Sequence, residues 1–309
     1  MSAFVVKLGG AEEPYVSPVL GLGNFDGVHI GHQAILKRVV ERALEIKGTP
    51  IAFTFDPHPV RVLYPDRTIQ LLCTTKEKMD WFEKCGIRAR YCVEFTREFS
   101  MQSPRDFVKT VLVDRLKVAE VVVGRNYGFG KGREGNASLL REFGTEFGFH
   151  VEVVPPVELN HQIVSSSLIR GLLLEGKVGE VIPMLGRPYQ IEGTVIAGEG
   201  RGERLGFPTA NLLPGEKLVP GNGVYAVRAE KKGELLSGAA YIGTQPTFGN
   251  SIRQIEVHLF RQQGPLYGEE LKVYFQDTIR GERKFSSRIE LIDQIRKDIL
   301  RAKEILCEK

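Results

Sequence analysis

The pattern of secondary structure in the first half of the chain constrains the fold more than any other feature of the sequence. Short apolar strands alternate there with helical stretches. The predicted strands are 19–22, 51–55, 119–123 and 151–154. The predicted helices are 33–46, 76–84, 104–116 and 137–147. This alternation predicts an α/β domain whose doubly wound parallel sheet is covered on both faces and binds ligands at the carboxyl ends of its strands.

The pattern changes from residue 189 onward, where short strands lie between Gly and Pro turns. These strands are 190–196, 224–229, 238–242, 255–260 and 271–275. Regular short strands predict a small antiparallel β-barrel. Apolar residues then recur at spacings of three and four, which predicts a closing amphipathic helix with one apolar face: Ile289, Ile292, Ile295, Ile299 and Ala302. We therefore predict two domains, 1–184 with a Rossmann-like sheet and 185–309 with the barrel and the C-terminal helix.

The composition excludes several classes of protein. The 309 residues are 42% hydrophobic and 26% charged, which is typical of a globular protein. No apolar run approaches the roughly 20 residues that span a bilayer, and the N-terminal residues lack the apolar core of a secretory signal. The net charge is 42 − 38 = +4, which suits anionic substrates but is too small to indicate nucleic-acid binding.

The cysteines give the expected compartment. They are Cys73, Cys85, Cys92 and Cys307. No Cys-x-x-Cys pair or zinc-site spacing is present, so we expect reduced thiols and a cytoplasmic protein. We expect no membrane and no nucleic acid among its partners, and the sequence does not indicate an oligomeric state.

A glycine-rich turn, Gly21 to His32, follows the first predicted strand and runs into a helix. Glycines let the backbone approach a ligand closely, and a helix N-terminus favours an anion. His29 and His32 lie one helical turn apart, where both imidazoles can contact phosphate oxygens. The alternative is that they are ordinary surface residues at a helix cap.

Two further segments are weaker on their own. Ser166, Ser167 and Arg170 lie at the start of a predicted helix, where they form a second anion site or simply cap the helix. Asn126 and Phe129 follow the third strand at the expected ligand edge. Asn126 is equally typical of a turn.

A Gly- and Arg-rich segment, 198–211, marks the second half. Flexible backbone and guanidinium groups suit phosphate binding, although the segment lacks the ending of a P-loop. Thr209 and Asn211 are two residues apart, so on an extended strand they point the same way and offer hard oxygen ligands for Mg²⁺. The alternative is a mobile glycine loop.

Glu256 lies in an alternating strand. Ile255 and Val257 share one face, whereas Glu256 and His258 share the other. A carboxylate facing a ligand can act as a general base on a hydroxyl. The alternative, a carboxylate facing solvent, is the commoner case for a strand glutamate.

The first half resembles a known superfamily. His-x-Gly-His after a strand and the Ser-Ser-Ser-x-Ile-Arg segment are similar to the motifs of nucleotidyltransferases. Phe-Thr-Phe-Asp-Pro-His-Pro (53–59) and Gly-Arg-Asn-Tyr-Gly-Phe-Gly (124–130) resemble its flavin branch, the FMN adenylyltransferase module of prokaryotic bifunctional riboflavin kinase/FAD synthetases. Ser167 stands where that family often has Thr, and Tyr127 where it often has Phe.

This resemblance implies roles for individual residues. His29, His32 and Arg170 are the implied catalytic residues of adenylyl transfer. The implied contacts to ATP are Gly23, Phe25, Asp26, His29, His32, Ser166, Ser167 and Arg170. The implied contacts to the flavin are Asn126 and Phe129.

The second half resembles the riboflavin kinase module, a six-stranded barrel with a C-terminal helix. The resemblance rests on Gly-Phe-Pro-Thr-Ala-Asn (206–211), Asn-Gly-Val-Tyr (222–225), Gly-Thr-Gln-Pro-Thr-Phe (243–248) and Leu-Tyr-Gly (266–268). It implies Mg²⁺ with ATP at Thr209 and Asn211, and Glu256 as the general base. Glu203 stands where the family usually has Arg, and Gln245 where Arg or Asn is commoner.

The kinase resemblance also implies a nucleotide loop and a flavin cover. The implied loop residues are Gly198, Gly200, Arg201, Gly202, Gly206 and Pro208. Arg280 and Phe285, in the segment before the last helix, are implied to cover the flavin.

The two resemblances together predict a bifunctional enzyme of flavin cofactor synthesis. Its substrates would be ATP, riboflavin and FMN, its cofactor Mg²⁺, and its products FMN and then FAD with pyrophosphate. Three alternatives stay open: an adenylyltransferase acting on nicotinate mononucleotide or phosphopantetheine, a flavin- or nucleotide-binding module without turnover, and a barrel that binds nucleic acid.

Overall fold

The computed structural model describes residues 5–10, 15–66, 69–198, 200–247, 250–261, 264 and 266–307. The chain divides into two compact units, Met1–Ser165 and Ser166–Lys309. The predicted limits of the functional modules, 1–184 and 185–309, stay a prediction.

The first unit is built on a six-stranded sheet. The strands of this sheet are β1 Val5–Gly10, β2 Val19–Leu22, β3 Pro50–Asp56, β4 Ala89–Glu94, β5 Glu120–Gly124 and β8 His150–Val154. Two separate pairs of short strands are β6 Gly128–Phe129 with β7 Gly135–Asn136, and β9 Glu158–Leu159 with β10 Gln162–Ile163. The sheet order is β1-β4-β3-β2-β5-β8, with β1 antiparallel and the other five strands parallel. This confirms the predicted parallel sheet, and the strand order reverses between β2 and β5, where ligands bind in such folds.

Helices cover both faces of this sheet. They are α1 Ile30–Glu45, α2 Pro59–Leu63, α3 Thr75–Lys84, α4 Pro104–Phe107, which continues as a π-helix over Val108–Arg115, and α5 Ala137–Phe147. Short 3₁₀ turns occupy Phe99–Met101 and Lys131–Arg133. Neighbouring strand residues point to opposite faces, so Val121 and Val123 join the core under α4 and α5, whereas Val122 joins the core under α1 and α3.

The second unit contains two short helices and a closed antiparallel barrel. The helices are α6 Ser166–Leu174 and α7 Val178–Leu185. The barrel strands are β11 Tyr189–Ile196, β12 Ala210–Pro214, β13 Gly223–Lys231, β14 Glu234–Thr247, β15 Asn250–Leu259 and β16 Glu270–Gly281. They close in the order β11-β12-β15-β14-β13-β16. The short helix α8, Arg201–Arg204, lies in the glycine-rich segment, and α9, Arg288–Ile305, closes the chain as predicted.

The predicted apolar face of α9 is partly wrong. Ile289, which opens that predicted face, is 74% exposed, whereas Asp298 and Ala302 are buried. Asp298 is buried because its carboxylate accepts hydrogen bonds from Arg280 at the end of β16, at 3.0 Å from Nε and 2.8 Å from Nη2. This ion pair, rather than the isoleucines alone, fixes which face of α9 packs on the barrel.

Candidate active sites

The two motif histidines form a stacked pair at the start of α1. His29 is the N-cap, and its Nδ1 accepts a hydrogen bond from the backbone N–H of His32 at 3.3 Å. The imidazole centroids are 3.6 Å apart and the rings are nearly parallel, at 20°. Because Nδ1 of His29 is an acceptor, the neutral ring carries its proton on Nε2. A Cβ at Gly31 would lie 3.1 Å from the His29 ring, which explains the glycine between the two histidines.

His32 is held in its neutral form. Burial lowers the pKa of His32 well below its usual value, and electrostatic coupling to the neighbouring His29 and Lys78 lowers it further. The Phe25 ring packs edge-on against the imidazole, with centroids 5.3 Å apart. The Nδ1 of His32 is buried and has no hydrogen-bond partner among the described residues. The pair therefore offers neutral imidazole groups at the helix start.

This geometry predicts a pH dependence of stability. The folded-state pKa of His32 lies below its unfolded value of about 6.5, so the unfolded chain binds the extra proton. The contribution of His32 to the free energy of unfolding is therefore present above about pH 6.5. It is lost as the pH falls below that value, at up to about 1.4 kcal/mol per pH unit. Thermal unfolding measured at about pH 7.5 and at about pH 5.5 should therefore show that the wild type loses more stability between the two pH values than His32→Asn does. An equal loss in the two proteins would contradict the prediction.

The side chains of the turn before α1 hold the turn itself. Asp26 is buried, and its carboxylate accepts hydrogen bonds from the N–H groups of Leu72 (3.0 Å) and Cys73 (3.3 Å). Phe25 is fully buried with φ +51°. Its ring lies so close to Gly23 that a Cβ there would be 3.1 Å away. These contacts shape the loop, and direct contact of Gly23, Phe25 or Asp26 with ATP stays a prediction.

The structure separates the two residues implied at the flavin site. Asn126 is exposed just after β5, and its backbone carbonyl oxygen accepts a hydrogen bond from Arg133 Nη2 at 3.3 Å. Phe129 is buried in the core, where its ring stacks on Tyr127 and packs against Phe107. Phe129 therefore has a packing role, and contact of either residue with the flavin stays a prediction.

The serine segment forms a helix as predicted. Ser166 and Ser167 open α6, and Arg170 lies one turn further along. This helix belongs to the second compact unit. The roles of these three residues toward the His29–His32 pair stay predictions.

Glu256 lies on the outer face of β15, next to the oxygen-bearing side chains of Asn211 in β12 and of Thr209, which directly precedes β12. Ile255 and Val257 are buried in the barrel, so the predicted alternation is confirmed. Asn211 is directly opposite Glu256 in the β12–β15 pair. The Thr209 hydroxyl donates a hydrogen bond to the Glu256 carboxylate, with Oγ1 3.2 Å from Oε2. The three residues that sequence reasoning assigned to one site are therefore neighbours.

A cavity of about 330 Å³ opens beside these side chains, bounded by Gly198, Gly200 and Glu256. An adjacent cavity of about 450 Å³ shares the two glycines and reaches Tyr267. Together they form a groove that can admit a nucleotide. A Cβ at Gly198 would lie 2.0 Å from the Asn211 amide nitrogen, so the loop packs on Asn211 only because residue 198 is glycine.

Of the other predicted loop residues, Pro208 lines the second cavity. A Cβ at Gly202 would lie 3.0 Å from Thr209 Oγ1, and Gly206 has φ +88°. The carbonyl of Pro208 lies 2.9 Å from Nδ1 of His258. Arg201 lies in α8. Contact of these residues with nucleotide stays a prediction.

The segment after β16 is fastened to the barrel by residues that sequence reasoning missed. Glu282 accepts hydrogen bonds from Asn222 Nδ2 at 3.1 Å and from Tyr241 Oη at 3.2 Å. The guanidinium of Arg280 lies over the ring of Phe285, 5.5 Å from its centroid. Arg280 is also held by its ion pair with α9, so contact of Arg280 and Phe285 with the flavin stays a prediction.

The chain matches two family models. The model described as FAD synthetase matches residues 13–168, and the model described as riboflavin kinase matches residues 185–306. Among the described residues, no helix has the length and apolarity needed to cross a membrane.

Similar proteins cover nearly the whole chain. The bifunctional riboflavin kinase/FMN adenylyltransferase of Escherichia coli K12 is 35% identical over 295 residues, 95% of this chain and 94% of the relative. The protein of that description from Listeria monocytogenes is 39% identical over 287 residues, 92% and 90% of the two chains. A crystal structure titled as a macrolide-efflux protein from Streptococcus pneumoniae matches with a TM-score of 0.86 at 30% identity, over 93% of each chain. With both family models matched in order, this chain belongs to the family of bifunctional riboflavin kinases/FMN adenylyltransferases.

Proposed function

We propose that each compact unit contributes the centre of one family reaction. The chain has both activities, riboflavin kinase and FMN adenylyltransferase. The kinase reaction is assigned to Glu256, and adenylyl transfer to the His29–His32 pair. The observation that carries the assignment is the Thr209–Glu256 hydrogen bond beside Asn211 at the mouth of a nucleotide-sized groove.

In the kinase reaction, Glu256 acts as the general base. Its carboxylate takes the proton of the riboflavin 5′-hydroxyl while that oxygen attacks the γ-phosphorus of ATP. The bond between the γ-phosphorus and its bridging oxygen breaks, and ADP leaves. The Thr209 hydroxyl fixes one carboxylate oxygen through its 3.2 Å hydrogen bond, which leaves the other oxygen for the substrate proton.

The donor set beside Glu256 fits Mg²⁺. Thr209 and Asn211 offer hydroxyl and amide oxygens, and carboxylate, hydroxyl and carbonyl oxygens are the ligands that this ion takes in proteins. The Thr209 hydroxyl can donate its proton to Glu256 and still present a lone pair to a cation. Thr209 and Asn211 would hold the ion, which supplies positive charge to the phosphates of ATP.

In adenylyl transfer, the phosphate of FMN is already the nucleophile, so no base is required. One of its oxygens attacks the α-phosphorus of ATP. The bond between the α-phosphorus and the oxygen that bridges to the β-phosphorus breaks, and pyrophosphate leaves with that oxygen. Positioning and charge stabilisation then dominate the rate. The neutral imidazole of His29 donates from Nε2–H, since its Nδ1 is occupied by the His32 N–H.

A flavin time course tests the proposal. The whole chain is supplied with riboflavin, ATP and Mg²⁺, and the flavins are separated by chromatography. We expect FMN to appear first and FAD later, and FAD alone to form when FMN is supplied. With the metal removed by a chelator, we expect no FMN from riboflavin. FMN without later FAD in a folded sample would contradict the adenylyl-transfer assignment, and absence of FMN and FAD would contradict both.

A further inference from the structure

A buried lysine lies behind the loop that leads to the His29–His32 pair. Lys78, on α3, is only 7% exposed. Its Nζ lies 3.5 Å from Thr54 Oγ1, and no described carboxylate forms an ion pair with it. Burying an ammonium group without a counter-charge is unfavourable. The buried ammonium group of Lys78 therefore favours the binding of an anion nearby.

The contacts of Lys78 lead to the loop. Thr54 lies in β3, and its hydroxyl donates a hydrogen bond to the Asn24 carbonyl oxygen at 3.2 Å. The loop is also joined to the segment that precedes α3, because Asp26 accepts the N–H groups of Leu72 and Cys73. Lys78 thus lies at the carboxyl ends of β2 and β3, where the sheet presents its ligand edge.

The charge balance of this edge makes the ammonium important. His32 is neutral, since burial and electrostatic coupling to His29 and Lys78 lower its pKa. Two neutral imidazoles supply hydrogen bonds but little net charge to a leaving group that carries several negative charges. Lys78 is a buried cation whose charge acts on His32, so its field reaches the start of α1.

We propose that Lys78 is a positioning residue for adenylyl transfer, which holds the loop through Thr54 and Asn24 and supplies positive charge to the pyrophosphate leaving group. This inference rests on the proposed function of the His29–His32 site. No bond forms or breaks at the Lys78 nitrogen.

The test compares Lys78→Met with Lys78→Arg in the full chain, with FMN supplied. We expect Lys78→Met to lower kcat/KM for ATP by about 10- to 100-fold and to weaken inhibition by added pyrophosphate to a similar degree. The KM for FMN should not change. Lys78→Arg keeps the charge and should retain most of the activity and of the pyrophosphate inhibition. Riboflavin phosphorylation by the same samples serves as the internal control.

Lys76→Met is the matched control, because Lys76 is an exposed lysine of α3. It should leave adenylyl transfer and pyrophosphate inhibition unchanged. A folded Lys78→Met protein that is inhibited by pyrophosphate as strongly as the wild type would overturn the proposal. So would a rise in the KM for FMN as large as the weakening of pyrophosphate inhibition. If Lys78→Met does not fold, Thr54→Val decides: it breaks the link to Asn24, and unchanged kcat for adenylyl transfer would overturn the inference. A wild type that makes no FAD would instead refute the proposed function itself.

Discussion

Replacing Glu256 with glutamine is expected to lower the rate of riboflavin phosphorylation by about 10²- to 10⁴-fold. The amide has nearly the shape of the carboxylate and can still accept the hydrogen bond from Thr209, but it cannot take the proton of the substrate hydroxyl. The loss should therefore fall on kcat, with a much smaller change in the KM for riboflavin. Chromatographic rates of FMN formation measure both constants. Adenylylation of supplied FMN should proceed at the wild-type rate.

Glu234→Gln provides the matched control for this experiment. Glu234 is an exposed glutamate at the start of β14 in the same barrel, so the same chemical change there should affect neither reaction. Wild-type kinase activity in Glu256→Gln would eliminate the carboxylate as the base. Loss of both reactions in a folded Glu256→Gln protein would contradict the assignment of the two reactions to separate centres.

Much of the fold is predictable because local patterns determine it. The parallel strands β2, β3, β5 and β8 are apolar runs, and the structure confirms them. Strand β4 escaped prediction because Arg90 and the terminal Glu94 interrupt its apolar residues. The buried face of α9 escaped prediction for a different reason. An aspartate there is buried only because Arg280, distant in sequence, pairs with it.

In the candidate sites, too, local patterns were predictable and contacts between residues distant in sequence were not. Periodicity of two predicted that Thr209 and Asn211 point the same way and that Glu256 faces away from Ile255 and Val257. The structure places Thr209, Asn211 and Glu256 together. A family resemblance, in contrast, implies which residues contact a ligand but does not show which parts of the protein their side chains contact. Asp26 was implied to contact ATP, and its carboxylate holds a neighbouring segment. Lys78 gave no signal, because a lysine on an amphipathic helix is normally exposed and its burial depends on the packing of another element.

Removing either imidazole of the His29–His32 pair is expected to lower adenylylation of supplied FMN by about 10²- to 10³-fold and to leave riboflavin phosphorylation unchanged. In the proposed mechanism each ring stabilises charge on the phosphates, and Glu256, the proposed base of the kinase reaction, lies in the other compact unit. His29→Ala also removes the N-cap of α1, which should lower the free energy of unfolding by about 1 kcal/mol. Chromatographic rates of FAD formation, together with thermal unfolding, measure the two effects.

His29→Asn separates catalysis from capping, because asparagine is a strong N-cap but lacks the imidazole N–H. We expect this variant to recover the stability lost in His29→Ala and to remain as slow in FAD formation. His150→Ala, which removes an exposed histidine at the start of β8, is the control for loss of an imidazole and should retain the wild-type rate. If His29→Asn recovered both stability and FAD formation, the ring would serve only to cap α1. Charge stabilisation would then have to come from groups other than the His29 imidazole, His32 among them.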